Sequence, residues 1–202
     1  MSDGAAHILC PTAPTRASAL KRLAAARIPE AADIVLLGDS LAAAWPSDLV
    51  AAARPGRRIL NLGLPGDRIQ NTLWRIGRPD LAHLRPREVV IVLGTNNLSD
   101  GDSPAAIAAG LADLVRGLDA LWERPALVLS TIPPRGSGPA ACEAERQEAN
   151  SLIARMETGR LRLLRSEPAL AAAGDGAFAP DRLHLERGGY EALTAALAGL
   201  AD

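Results

Sequence analysis

The chain has 202 residues with a formal net charge of −1, because 22 basic residues are balanced by 23 acidic ones. No basic excess or stripe is visible and only 2% of the residues are aromatic, which argues against nucleic acid as a partner. We also expect neither a membrane span nor a signal peptide, because the sequence has no stretch of about 18 uncharged apolar residues and no basic segment followed by an apolar core at its start.

The sequence has two cysteines and no pattern typical of a metal site. Cys10 and Cys142 lie far apart and lack CxxC spacing, which favours reduced thiols in a cytoplasmic protein, although the two would pair if the fold joined them. The sequence has no cluster of His, Cys and carboxylate residues at metal-ligand spacing, so we expect no metal and no other cofactor.

Five short apolar runs alternate with amphipathic segments along the whole chain. This alternation is typical of one open α/β sheet and predicts a single domain over residues 1–202, with roughly the first ten residues as a flexible or packing extension. Three runs are continuously apolar, as parallel strands covered on both faces are. The predicted strands are Asp33–Gly38, Arg58–Leu62, Glu88–Leu93, Ala126–Ser130 and Leu161–Leu164. The predicted helices are Thr15–Arg27, Asp67–Leu84, Pro104–Trp122, Pro139–Glu157 and Arg187–Leu200.

Ser40 directly follows the first predicted strand. In open α/β sheets ligands bind beyond the carboxyl ends of the strands, so chemistry-bearing residues are expected there. The backbone N–H groups after such a serine could stabilise an oxyanion. A serine that merely caps a helix explains the same position, and the strand-Gly-Asp-Ser pattern alone favours that cap.

The residues that follow the second and third predicted strands are also suited to a catalytic site. Gly63 and Gly66 allow the backbone to approach a ligand closely, or serve a tight turn, and Asp67 is a candidate N-cap for the next helix. Asn96 offers a side-chain amide that could donate to developing negative charge, or it closes the strand in an Asx-turn. For Asn97 the Asx-turn is favoured.

Three histidines are available as a base, and topology separates them. His7 lies in a segment expected to be frayed. His83 and His184 each follow an aspartate by three residues, Asp80 and Asp181, so spacing does not distinguish these pairs. The first pair precedes the third strand, at the wrong end of the sheet, and is assigned to structure. The second pair follows the fifth strand and precedes the last helix, which is the functional end.

An Asp-x-x-His turn can place the Asp181 carboxylate beside the His184 imidazole without help from the rest of the fold. Asp181 would keep one ring nitrogen protonated and leave the other free to accept the proton of Ser40. We therefore expect nucleophilic chemistry on Ser40 with His184 as general base.

The chain resembles the SGNH (GDSL) hydrolases in four sequence blocks that occur in the right order. The likeness covers roughly Ile34 to the C-terminus. The blocks are Gly38-Asp39-Ser40-Leu41, the glycine of Pro65-Gly66-Asp67, Gly94-Thr95-Asn96 and Asp181-x-x-His184.

This resemblance implies a three-layer α/β/α fold with a flavodoxin-like five-stranded parallel sheet. It implies Ser40 as nucleophile, with Asp181 and His184 completing the triad. The oxyanion hole would be formed by the backbone N–H groups of Ser40 and Gly66 and by the Asn96 amide. The choice of Gly66 over Gly63 rests on the resemblance alone.

A narrower likeness is carried by the segments Gly66–Arg75, Leu84–Pro86, Leu93–Asn97 and Pro134–Gly136, and by Asp181–Leu185 followed by Gly189-Tyr190. These segments resemble the catalytic subunits of intracellular platelet-activating-factor acetylhydrolases. That group removes short acyl groups, often acetyl, and its subunits pair as dimers, so the likeness implies a small ester substrate and a homodimer. The stretch 42–57 departs from the group and could line the acyl pocket, which leaves the substrate open. Candidate substrate contacts are Asp39, Arg135 and Phe178.

The function expected is therefore a serine esterase that hydrolyses short-chain esters through an acyl-enzyme. One alternative is an acyltransferase with the same triad, which product analysis with acceptors would distinguish. Another is a non-catalytic flavodoxin-like binding protein, but the sequence has neither GxGxxG after its first strand nor GxxxxGK[ST]. A degraded enzyme that only scaffolds a partner is disfavoured because all the expected side chains are present.

Overall fold

A computed structural model of the protein describes residues 6–136 and 141–200. All strand pairs in its five-stranded sheet are parallel, and the strand order is β2-β1-β3-β4-β5. The predicted fold class is confirmed, and each predicted strand is present to within a residue at either end. The strands are β1 Ile34–Gly38, β2 Ile59–Gly63, β3 Glu88–Val92, β4 Ala126–Ser130 and β5 Leu161–Leu164.

Helices cover both faces of this sheet. All five predicted helices are present, although the one predicted from Asp67 ends early because Pro79 starts a separate 3₁₀ turn. Residues 139 and 140 of another lie outside the described residues. The helices are α1 Ala17–Ala25, α2 Ser40–Ala43, α3 Ser47–Ala53, α4 Ile69–Ile76, α5 Thr95–Ser99, α6 Pro104–Leu121, α7 Glu143–Ala154, α8 Ser166–Ala173 and α9 Arg187–Ala198, with 3₁₀ turns at Pro79–Leu81 and Gly174–Ala177.

The core consists of two apolar layers, one on each side of the sheet. Val35 and Leu37 of β1 face a layer packed against α4, α6 and α7. Ile34 and Leu36, the alternate residues, face a layer packed against α2, α3, α8 and α9. All four side chains are buried, which explains why the β1 sequence is continuously apolar and not alternating.

Residues near the start of the described chain pack onto the core. Ile8 is fully buried and lies against Gly110 and Ile69. His7 Nε2 lies 2.9 Å from Asp102 Oδ1, and the Thr12 N–H donates to the Gln70 carbonyl at 3.0 Å. The expectation that His7 is frayed was therefore wrong, because burial of the neighbouring isoleucine fixes the segment. Within the described part of the chain, none of the helices has the length and apolar character needed to cross a bilayer.

Candidate active site

Three side chains from distant parts of the sequence form a hydrogen-bonded chain at the carboxyl edge of the sheet. His184 Nε2 lies 3.1 Å from Ser40 Oγ, and His184 Nδ1 lies 2.6 Å from Asp181 Oδ2. Ser40 and His184 are both half-buried, so the hydroxyl and the imidazole remain accessible. The arrangement suits transfer of the hydroxyl proton to the imidazole.

The Asp181–His184 turn is held by its own backbone. Asp181 Oδ1 accepts hydrogen bonds from the N–H groups of Leu183 at 3.0 Å and His184 at 2.9 Å. Phe178 and Leu185 close the turn as an isolated antiparallel bridge. The hydrogen bond from the His184 ring, helped by the two backbone donors, lowers the pKa of Asp181 to about 2. An ionised carboxylate therefore faces the imidazole.

Ser40 is the first residue of α2, and Asp39 is the N-cap of that helix. Asp39 Oδ1 accepts the Leu41 N–H at 2.9 Å, and its side chain is fully buried. Burial raises the pKa of Asp39 to about 7, and the neighbouring Asp67 carboxylate adds to the rise. Asp39, a candidate substrate contact, is buried and caps the helix that carries Ser40.

Gly66 and Asn96 are linked through Asp67, the residue that follows Gly66 in the sequence. The Asn96 amide nitrogen donates to the Asp67 carbonyl at 2.9 Å. Gly66 adopts a φ of +76°, a left-handed conformation that favours glycine. Gly63, the other candidate glycine, serves packing, since a Cβ there would lie 2.2 Å from the Ala43 backbone nitrogen in α2.

The Asp67 side chain is anchored below this edge by α4. Its Oδ2 accepts from Thr72 Oγ1 at 2.6 Å and from Arg75 Nη2 at 2.6 Å, and all three residues are buried. Arg75 Nη1 also donates to the Leu62 carbonyl at 2.7 Å. The predicted N-cap role of Asp67 was wrong, since α4 begins at Ile69. Arg75 is a buried partner of Asp67, and no sequence spacing signals that pair.

Asn97 also differs from its prediction. It is fully buried, its Oδ1 accepts the Ile69 N–H at 3.0 Å, and its Nδ2 donates to Asp102 Oδ2 at 2.8 Å. The side chain therefore joins α5 to the start of α4 and does not form an Asx-turn.

The two remaining candidate substrate contacts lie in loops at the same edge. Arg135 is half-buried, and its Nη1 donates to the carbonyl and hydroxyl oxygens of Thr95 at 2.5 and 3.0 Å. Phe178 is half-buried against the core layer of α9, with the Arg182 guanidinium carbon 5.7 Å from its ring centroid. A cleft of about 380 Å³ opens beside Gly66, where the Arg16 side chain lies against the glycine.

Part of the stretch 42–57 packs inward and part is exposed. Ala42 and Trp45 are buried in the core layer of α9, and Trp45 Nε1 donates to Thr194 Oγ1 at 3.0 Å. Tyr190 Oη donates to the Leu41 carbonyl at 3.0 Å, a contact that the sequence did not signal. Helix α9 therefore braces the segment that follows Ser40.

The second Asp-x-x-His pair lies at the opposite edge of the sheet, as expected. Asp80 Oδ2 lies 2.9 Å from Arg78 Nη2, and His83 Nε2 lies 2.9 Å from the Pro29 carbonyl oxygen. These contacts agree with the structural role assigned to the pair.

Comparisons with known proteins show which family this chain resembles. Platelet-activating factor acetylhydrolase IB subunit alpha1 of Pongo abelii and of Homo sapiens is 29% identical over 180 residues, which cover 83% of this chain and 74% of the relative. A lipase/acylhydrolase from Enterococcus faecalis superposes with a TM-score of 0.69 at 26% identity, covering 82% of this chain and 93% of that one.

A member of the lipolytic G-D-S-L family from Veillonella parvula has a TM-score of 0.71 and covers 83% of this chain and 96% of that one. At 16% identity it supports the fold alone. The sequence model of the GDSL-like lipase/acylhydrolase family matches residues 22–192. The chain therefore belongs to the GDSL-like lipase/acylhydrolase family and is a carboxylic ester hydrolase.

Proposed function

We propose that this enzyme hydrolyses short-chain esters, acetyl esters in particular, through an acyl-enzyme on Ser40. The observation that carries the proposal is the continuous hydrogen-bond chain from Ser40 through His184 to Asp181. The preference for acetyl is supported by the names of the relatives, which are acetylhydrolase subunits.

The mechanism follows from the positions of these groups. His184 Nε2 accepts the Ser40 proton as Oγ attacks the ester carbonyl, and the imidazolium that forms is stabilised by Asp181. His184 then protonates the leaving alcohol. Water attacks the acyl-enzyme with His184 again as base, which releases the acid and restores Ser40.

The oxyanion of each tetrahedral intermediate would lie among the N–H groups of Ser40 and Gly66 and the Asn96 amide. The Asn96 amide nitrogen has two hydrogens, and one donates to the Asp67 carbonyl, which leaves the other for the oxyanion. Such a donor, held in place before the reaction, contributes about 2.7–4 kcal/mol in other enzymes. A small ester is the partner that this site requires. A homodimer and a cytoplasmic location stay predictions.

The test is hydrolysis of p-nitrophenyl esters from acetyl to octanoyl by wild type, by Ser40→Ala and by Ser151→Ala. Ser151 is an exposed serine on α7 and serves as the matched control. We expect turnover to peak at acetyl, to fall at least about 10⁴-fold in Ser40→Ala, and to be unchanged in the control. A fully active Ser40→Ala protein would refute the mechanism, and a peak at octanoyl would refute the acetyl preference.

A further inference from the structure

The residues that follow β4 connect the two loops on which the candidate site is built. Arg135 Nη1 donates to the carbonyl oxygen of Thr95 at 2.5 Å and to its hydroxyl at 3.0 Å. The next residue, Gly136, donates its backbone N–H to the Arg182 carbonyl at 2.7 Å. Thr95 immediately precedes Asn96, and Arg182 lies between Asp181 and His184. One short segment therefore contacts both the oxyanion loop and the acid–base loop.

Helix α5, which carries Asn96, is too short to be stable by itself. It spans Thr95–Ser99, follows Gly94 with a φ of +118°, and lacks a side-chain hydrogen bond at its N-cap. A helix of about one turn is unstable alone, because nucleation orders several residues for one hydrogen bond. The position of Asn96 therefore depends on contacts made from outside the helix.

Two such contacts flank the Asn96 amide. On one side its Nδ2 is fixed to the Asp67 carbonyl at 2.9 Å. On the other, the guanidinium of Arg135 holds the backbone of Thr95, the first residue of α5. Since the bond ends on a carbonyl oxygen as well as on a hydroxyl, it fixes the backbone itself and not only a side chain.

The charge of Arg135 also acts on the nucleophile side. The side chain of Asp39, which precedes Ser40, is fully buried. Burial and the Asp67 carboxylate raise the pKa of Asp39, whereas the Leu41 N–H and the Arg135 guanidinium lower it. Arg135 is therefore close enough to influence the helix cap behind Ser40 as well as the backbone before Asn96.

We infer that Arg135 is a positioning residue for the ester hydrolysis: by holding Thr95 it keeps the Asn96 amide aimed at the oxyanion. The inference rests on the proposed function. It assigns the Arg135 Nη1 donor to Thr95 and not to the substrate. A positioning residue changes the stability of the transition state while substrate binding stays nearly constant.

The first measurement is steady-state hydrolysis of p-nitrophenyl acetate by Arg135→Met and Arg135→Lys. The control is Arg116→Gln, an exposed arginine on α6 that pairs only with its helix neighbour Asp113 among the described residues. We expect Arg135→Met to lower kcat about 10- to 100-fold with KM within about threefold of wild type, since small misplacements of a catalytic group cost rates of this order. Arg135→Lys should recover part of the rate, and the control should equal wild type. A raised KM with unchanged kcat would identify a substrate contact and overturn the inference.

The second measurement asks whether Arg135 acts through Asn96. If it does, adding Arg135→Met to Asn96→Ala should slow the enzyme by less than about twofold, because the group being positioned is already gone. Losses that multiply in the double variant would show that Arg135 acts by another route and would overturn the inference.

If the thermal melt of Arg135→Met shows that this variant does not fold, a third variant provides another test. Thr95→Val removes one acceptor of the Arg135 bond and keeps the carbonyl. Thr95→Val and Arg135→Lys should then both lose part of kcat, and full activity in both would overturn the inference. Failure of the proposed function itself looks different: wild type would be inactive on every ester, or Ser40→Ala would retain full activity.

Discussion

The carboxyl groups of Asp39 and Asp181 lie on either side of Ser40 in opposite environments. Asp181 is half exposed, and hydrogen bonds from His184 and two backbone N–H groups lower its pKa to about 2. Asp39 is fully buried, and burial raises its pKa to about 7. Asp181 therefore stays ionised at any ordinary assay pH, as a partner of an imidazolium must. Asp39 changes its charge near neutrality, so the stability of the fold should depend on pH in that range.

Replacing Asp181 by Asn tests the first of these roles. Asn retains an oxygen for the Leu183 and His184 N–H groups but presents an N–H to His184 Nδ1, which forces the wrong tautomer. In a serine protease the equivalent change lowers kcat about 10⁴-fold. Because Asp181 is partly exposed, we expect a loss of about 10²–10⁴-fold in kcat on p-nitrophenyl acetate. Asp80→Asn, in the look-alike pair at the far edge, is the control and should keep full activity.

Replacing Asp39 by Asn tests the second role through stability. The folded-state pKa of about 7 exceeds the ordinary value of 3.8. The contribution of Asp39 is therefore fully present below about pH 4 and is lost as the pH rises to about 7, with a slope of at most about 1.4 kcal/mol per pH unit. Asn can still cap α2 but does not titrate. We expect the free energy of unfolding, measured in urea at pH 4.5, 5.5, 6.5 and 7.5, to fall less steeply in Asp39→Asn than in wild type. Parallel pH profiles would contradict this assignment.

Helix α2 is placed by its close approach to the end of β2. A Cβ at Gly63 would lie 2.2 Å from the Ala43 nitrogen and 2.6 Å from the Ala42 carbonyl carbon, both backbone atoms of α2. Because backbone cannot rotate away as a flexible side chain does, any side chain at this position must displace the helix. Since Ser40 begins α2, the displacement would reach the proposed nucleophile.

Gly63→Ala should therefore reduce both stability and activity. We expect a loss of about 3 kcal/mol in the free energy of unfolding, at the upper end of typical overpacking costs, and a clear drop in kcat. Gly159→Ala is a matched control, because a Cβ there meets nothing within 4 Å. Denaturant titration and ester kinetics of the two variants provide the comparison. Equal stability of the two variants would show that α2 does not depend on this contact.

The longer elements were predictable from the sequence because their patterns are local. Short apolar runs predict the strands, and apolar periodicity predicts helices such as α6. The missed helices α2, α3, α5 and α8 have eight residues or fewer, too few to establish a period. Their formation depends on tertiary contacts, as Tyr190 bracing Leu41 in α2 illustrates.

The candidate site was predictable to a similar degree, for a related reason. Ser40, Asp181 and His184 were located because parallel strands bring their carboxyl ends to one edge. Burial of Asp39 and the pairing of Asp67 with Arg75 were missed, because they depend on which side of a loop faces the core. The spacing of these residues in the sequence does not indicate which side of the loop faces the core.

At the scale of the whole molecule, the packed structure extends beyond the part of the chain that matches the family. The family match begins at residue 22, yet Ile8 is fully buried between α4 and α6. A Cβ at Gly110 would lie 2.4 Å from Ile8 Cγ2, so that glycine in the middle of α6 makes room for the N-terminal segment. The segment is therefore part of the core and not an appendage.

Ile8→Ala measures what this segment contributes. Truncating a fully buried isoleucine typically costs about 2–5 kcal/mol, so we expect a loss in this range in the free energy of unfolding. Leu9→Ala is the natural control, because its side chain is 40% exposed. Urea denaturation should separate the two variants. If both behave like wild type, the segment does not contribute to the stability of the fold.

The Ser40 hydroxyl and the His184 ring, which we propose receives its proton, lie 144 residues apart in sequence. At a synthesis rate of about 5–20 residues per second, the ribosome adds Ser40 roughly 7–30 s before His184. During that interval the nascent chain can form its first strands, but its serine has no base and stays unreactive toward cellular esters. The onset of hydrolysis during cell-free translation would therefore time the docking of the turn that carries His184, and not the folding of the sheet beside Ser40.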